Sequence, residues 1–158
     1  MYLFFDFAGY SLLAVGTAYL FGVRIPDNFR YPFISRDMRE FWDRWHITLS
    51  HWLRDYVFTR FIFQATRRKW FHTRLTRASI GFLLNMLLMG AWHGLTIHYL
   101  AYGLYHGLWL AATEIYQKKS SFYKKHRDQI WYQGISWLVT MQLVMLGFLI
   151  FSGHLIRI

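Results

Sequence analysis

The sequence predicts an all-α, polytopic integral membrane protein, and three observations carry that reading. Of the 158 residues, 55% are hydrophobic and only 16% are charged, too little charge to cover an ordinary globular surface. The apolar residues gather into three long regions, 3–23, 78–116 and 130–152. Between them, segments 24–77 and 117–129 hold 12 and five of the 18 Lys and Arg, against eight acids in the whole chain. A net charge of +10 fits either nucleic acid or the positive-inside bias of membrane topology. The aromatic residues follow amphipathic spacing and no nucleic-acid-binding motif is visible, so the membrane reading is preferred and no nucleic-acid partner is expected. The absence of cysteine excludes disulfide frameworks, thiolate metal sites, iron–sulfur clusters and a thiol nucleophile.

The elements follow in chain order. Residues 3–23 have about the 20 residues needed to cross a bilayer and contain one acid, Asp6. They lack the basic start of a signal peptide. In 24–77, Pro26 and Pro32 punctuate the entry, Ser35 is a candidate N-cap, and Asp37 would sit in the first helical turn. Met38, Phe41, Trp42, Trp45, Leu49, Trp52, Leu53 and Tyr56 then recur at helical spacing, with most charges off that stripe. This predicts a tryptophan-rich amphipathic helix that lies in the interface or inserts part-way. His46 falls at the edge of the stripe, within reach of an aromatic pocket, and His51 on its polar side. Beyond it, Arg60, Arg67, Arg68, Lys69, Arg74 and Arg77 form a run without an acid. That run is either a topology anchor on anionic headgroups or a docking field for an acidic partner.

Two basic loops on one side of a membrane require an even number of crossings between them. The 39 residues of 78–116, with Glu114 their one formal charge, are therefore predicted to form a hairpin that turns at Gly90–Ala91–Trp92–His93–Gly94. A first arm of about 15 residues from Ala78 to Trp92 covers roughly 22 Å, short of a hydrocarbon core of about 30 Å. This predicts a re-entrant or tilted arm with His93 inside the membrane. The uncharged region 130–152 is the last crossing.

An ionisable residue inside a membrane is a functional candidate by default. His93 leads, with a second reading as a neutral imidazole bonded to a carbonyl or stacked on Trp92. Asp6 and Glu114 are further candidates, each equally explained by a structural hydrogen bond or an interfacial position. Asn85 lies two helical turns before His93 and is a possible donor to it or to an oxyanion, or a bridge between helices.

Three motifs carry a specific resemblance. Phe41-Trp42-Asp43-Arg44-Trp45-His46-Ile47-Thr48-Leu49-Ser50, with Trp52-Leu53-Arg54-Asp55-Tyr56, resembles the FWxRWHIxLSxWxRDY signature of membrane-bound O-acyltransferases. Met89-Gly90-Ala91-Trp92-His93-Gly94 resembles their second histidine motif, and Asp6-Phe7-Ala8-Gly9-Tyr10-Ser11 their upstream DFAGYS segment. The stretch after Met89 and the terminal IFSGHLI (150–156) are most similar to the branch that attaches D-alanine to teichoic acids.

The resemblance implies a ring of helices around a central cavity, with His93 as catalytic histidine and His46 as the histidine of the RWH motif. Residues 1–158 are then expected to be the C-terminal part of one longer domain, with an incomplete cavity wall when taken alone. The resemblance also implies a donor held as a thioester on the phosphopantetheine arm of a small acidic carrier protein in the cytoplasm. The acceptor is a hydroxyl leading to lipoteichoic acid, approached through a small membrane peptide. The two basic loops would be cytoplasmic, and Arg67, Arg68 and Lys69 would form the carrier-docking face. Trp92 and Asp6 are supporting candidates. No metal and no chain-bound cofactor are expected.

Histidine suits the chemistry, because its unperturbed pKa of about 6.5 lets it take the hydroxyl proton near working pH. His93 is assigned as general base. His46 orients the thioester arm or stabilises charge on its carbonyl oxygen. Alginate-acetylating relatives share the same motifs, so an exopolysaccharide acetyltransferase is the alternative. Two other classes remain as rivals: a membrane haem protein using His93 and His106, and a transporter or channel subunit.

Overall fold

The structure, a computed structural model, describes residues 2–155, so Ile156 of the terminal IFSGHLI stretch lies outside it. Eight α-helices follow one another: α1 (Tyr2–Leu20), α2 (Met38–Trp42), α3 (Ile47–Leu53), α4 (Thr59–Arg67), α5 (Arg74–His93), α6 (Ile97–Lys119), α7 (Ser121–His126) and α8 (Ile130–Phe151). A short 3-10 turn at Pro32–Ile34 precedes α2, and a π-turn at Arg54–Phe58 joins α3 to α4. No strand forms among the described residues. Helices α1, α5 and α8 are long and apolar enough to cross a membrane.

The hairpin predicted for 78–116 is present as α5 and α6. Its first arm is longer than expected: α5 has 20 residues, about 30 Å, which is long enough to span a hydrocarbon core. The extra turn was hidden because it contains Arg74 and Arg77. Thr73 starts it, its hydroxyl accepting from the Thr76 amide at 3.0 Å. Gly94 ends the arm at φ 156°, a conformation that favours glycine. The two arms lie close because each offers a glycine notch to the other. A Cβ on Gly90 would run into the Tyr99 carbonyl, and one on Gly103 into that of Met86. Helix α8 crosses α6 at Gly147, which abuts the His106 ring, and Tyr105 donates to the Leu143 carbonyl at 3.0 Å.

The region 24–77 departs most from expectation. The stripe from Met38 to Tyr56 is not one helix, because His46 takes a left-handed conformation (φ 47°) that breaks it into α2 and α3. The N-cap is Asp37 rather than Ser35: its carboxylate accepts from the Glu40 amide at 2.8 Å, while the buried Ser35 hydroxyl donates back to the Pro32 carbonyl. Trp52 and Tyr56, expected inside, are exposed.

Nor does the region stay at one end of the bundle. His46 packs beside His93, at the far end of α5, whereas Phe58 stacks on Phe82 near its middle, with ring centroids 4.8 Å apart. The segment 47–67 therefore runs antiparallel alongside α5 for most of its length. Asn28 lies at the His93 end, accepting from the amides of Ile47 and Thr48 through its backbone and side-chain oxygens. Residues 37–40 sit at the opposite end, where Arg39 pairs with Glu114 at 2.5 Å and Gln117 donates to Asp37 at 2.9 Å. The chain thus passes along the bundle three times between α1 and α5. The amphipathic stretch packs into the helix bundle. Met38, Phe41, Trp42 and Trp45 form one buried cluster with Met86, Met89, Tyr102, Leu110 and Val144, so the inserted loop supplies much of the core.

Candidate histidine site at the hairpin apex

His93 is the last residue of α5 and His46 the residue before α3. Their rings lie 6.4 Å apart, centroid to centroid, although 46 residues separate them in the chain. Positive φ is uncommon for a residue with a side chain, and at His46 it turns the backbone while the ring stays 8% exposed. Two rings pack edge-on against His46: Phe7 of α1 at 4.6 Å and Trp92 of α5 at 5.7 Å. Around His93 stand Trp92 at 4.9 Å, Phe151 at 5.0 Å, Tyr99 at 6.0 Å and Tyr102 at 6.4 Å. The start of α3 and helices α1, α5, α6 and α8 therefore meet at two imidazoles in an aromatic enclosure.

Among the described residues the imidazoles that form hydrogen bonds are those of His98, His126 and His154. The nitrogens of His46 and His93 are not engaged, so the carbonyl-bonded reading of His93 is not the one seen. Its packing on Trp92 is.

The other sequence candidates fall in different places. Asp6 is exposed on α1 and is not brought to the histidines, though its neighbour Phe7 is. Glu114 is held by Arg39. Asn85 is nine-tenths buried, its carbonyl oxygen without a partner, and lies apart from both histidines in a cavity of about 270 Å³. That cavity lies between α3 and α5. Trp42, Met86 and Met89 line it with Asn85, and Ser50 and Arg54 line it from the other side. Met89 is one helical turn before His93, so the cavity reaches to within a turn of the pair. His51 also borders it. Arg67, Arg68 and Lys69 are exposed where α4 ends, next to the start of α5 and remote from the apex. His106 is fully buried with neither nitrogen partnered and Gly147 against its ring, a packing that leaves no face for a haem. Among the described residues no three His, Asp or Glu side chains converge as a metal site.

Sequence reasoning missed Phe7, Tyr99, Tyr102 and Phe151. Tyr99, Tyr102 and His106 follow one another at helical spacing on α6, a signal that was available but had no partner to point to. Phe7 and Phe151 carry no such signal, because each lies in a stretch that is apolar almost throughout.

The arrangement can serve two atoms of one reacting centre with two imidazoles in a site packed with rings. Comparison with known proteins agrees with that chemistry. The model of the membrane-bound O-acyltransferase family matches residues 1–154. The chain is 46% identical over 153 residues to the teichoic acid D-alanyltransferase of Bacillus subtilis, covering 97% of this chain and 39% of that protein. It is 44% identical to the enzyme of that name from Streptococcus thermophilus, with the same coverage. It is 40% identical to a probable alginate O-acetylase of Pseudomonas fluorescens, over 96% of this chain and 28% of that protein. The chain spans about two-fifths of the length of the D-alanyltransferases it matches. With a family match over nearly its whole length and both histidine motifs at the apex, this membrane-embedded chain belongs to the membrane-bound O-acyltransferase family.

Proposed function

We propose that the chain carries the histidine centre of an O-acyltransferase that moves D-alanine from a carrier-bound thioester to a hydroxyl acceptor leading to teichoic acid. The observation that carries the reading is the juxtaposition of His46 and His93. The choice of acyl group is supported by the higher identity to D-alanyltransferases, 41–46%, than to alginate O-acetylases, 35–40%.

In the reaction the acceptor oxygen attacks the thioester carbonyl as its proton passes to His93. The tetrahedral intermediate then collapses, the carbon–sulfur bond breaks, and the proton is delivered to the departing thiolate. An ester and a free thiol result, and no residue of the chain becomes acylated. His46 faces the same centre and, as a neutral imidazole, can donate one N–H to the carbonyl oxygen as charge develops there. The cavity beside Asn85 and Met89 provides an approach for the thioester arm.

The cations at the end of α4, in the α4–α5 connection and in 117–129 all lie at the base of the α5–α6 hairpin. We assign this end to the cytoplasm by the positive-inside bias, and to docking of the acidic carrier.

The test is a chimera in which this chain replaces the matching segment of its Bacillus subtilis relative. His93→Ala is expected to abolish D-alanyl transfer while membrane insertion is retained. Normal transfer by that variant would remove His93 from the chemistry, and transfer of acetyl in place of D-alanyl would favour the alginate-type alternative.

A further inference from the structure

A second concave surface lies away from the histidines. An open groove of about 870 Å³ runs between α6, α7 and α8 and takes no part in the acyl-transfer chemistry. We propose that it is a binding site for an anionic membrane phospholipid, seated in the leaflet on the side of the 117–129 loop.

The groove has two ends of different chemistry. Its deep wall on α8 is Ile135, Val139 and Leu143, an apolar stripe at a spacing of four, facing Trp109 on α6. Its mouth is Arg36, Gln117, Arg127 and Gln133, at the end of the bundle where α6 stops and α8 starts. From Trp131 to Leu143 the groove descends about 18 Å at 1.5 Å per residue, close to the roughly 15 Å of one leaflet's hydrocarbon. A polar head and an apolar body one leaflet deep are the dimensions of a lipid. A spanning helix would need twice that depth.

The lining of the mouth holds two arginines against three acids, and the four lysines of the adjoining 117–129 loop tip the balance toward an anion. The acids there are already engaged: Asp37 by Gln117 and the Glu40 amide, Glu40 by Arg44 at 2.7 Å and the Arg36 amide. Arg127 and Asp128 form a 3.4 Å pair that is open to solvent and worth little. The Arg36 guanidinium has no ion pair among the described residues. Lys118, Lys119, Lys124 and Lys125 belong with Arg127 to the 117–129 loop, which carries five cations against one acid. Tyr116, Tyr123, Trp131 and Tyr132 line the mouth at the level where aromatic residues sit among headgroups. Basic pockets between membrane helices on the positive side are suited to anionic headgroups.

The test extracts the chain from vesicles containing equal phosphatidylglycerol and phosphatidylcholine and measures co-purified lipid by native mass spectrometry. The chain is expected to retain phosphatidylglycerol preferentially, with a loss of roughly fivefold in that preference for each of Arg36→Gln and Arg127→Gln. Val139→Trp fills the apolar wall and is expected to remove both lipids. Arg60→Gln, outside the groove, is expected to change nothing. Equal retention of the two lipids, or an unchanged preference in the double arginine variant with its helical circular dichroism intact, would overturn the proposal. So would disulfide capture of another helix of the chimera by Val139→Cys, since that result would give the groove to protein.

Discussion

The imidazole of His46 sits 6.4 Å from that of His93 because a left-handed residue interrupts α2 and α3 at the depth where α5 ends. The two rings reach the same centre from different elements, and neither is tied down by a hydrogen bond among the described residues. If His93 removes the proton and His46 assists the carbonyl, the two contribute to one transition state. Their losses should then not add. In the chimera, His93→Gln is expected to lower the rate of transfer by about 10²–10⁴-fold, the usual contribution of a positioned base. His46→Gln should cost less, because an amide can still donate to the carbonyl oxygen, and the double variant should be no slower than His93→Gln. Additive losses in single-turnover assays would assign the histidines to separate steps.

Helices were legible in the sequence wherever apolar content alone decides them, and the bundle's interior was not. The turn of the hairpin at Gly94 and the three apolar stretches follow from composition and glycine placement. The course of 24–77 does not, because Arg39 and Arg44 read as surface charges whereas they are held by Glu114 and Glu40 inside a folded insertion. The break at His46 was hidden for a related reason: the spacing of aromatics runs through it unchanged, and only the backbone conformation reveals it. Both histidines were found from their motifs, but Phe7 and Phe151, which enclose them, look like any other membrane-facing phenylalanine. In a chain meant for lipid, hydrophobicity no longer separates inside from outside.

The glycine notches give a direct test of the hairpin. Gly90 and Gly103 each place a bare Cα against the partner helix's backbone, so an added methyl group meets a carbonyl that cannot move without shifting the whole arm. Gly90→Ala and Gly103→Ala should each destabilise by about 1–3 kcal/mol, the cost of overpacking a tight interface. Gly134, whose missing Cβ faces open space, is the control: Gly134→Ala should leave stability unchanged or slightly improved through helix propensity. Thermal unfolding of the three variants in one detergent measures this, and a loss at Gly134 matching that at Gly90 would mean the notches are not what limits the packing.

Carrier docking is a prediction about charge placed away from the chemistry. Arg67, Arg68 and Lys69 stand exposed at the end of α4, and no ion pair holds them among the described residues. Lys69 is at φ 55°, where the chain turns away from the helix. Exposed cations of this kind act mainly by steering an acidic partner into encounter, so they raise the association rate more than they slow dissociation. Replacing all three with Glu should weaken binding of the carrier by at least about tenfold at low salt, with most of the change in the association rate. The effect should shrink as ionic strength rises and the field is screened to within about 8 Å. Stopped-flow association of the labelled carrier with the chimera at several salt concentrations gives both quantities. A loss of binding that does not vary with salt would show that the triple variant has disturbed the α4–α5 turn itself, and an unchanged rate would return these three residues to a role in membrane topology.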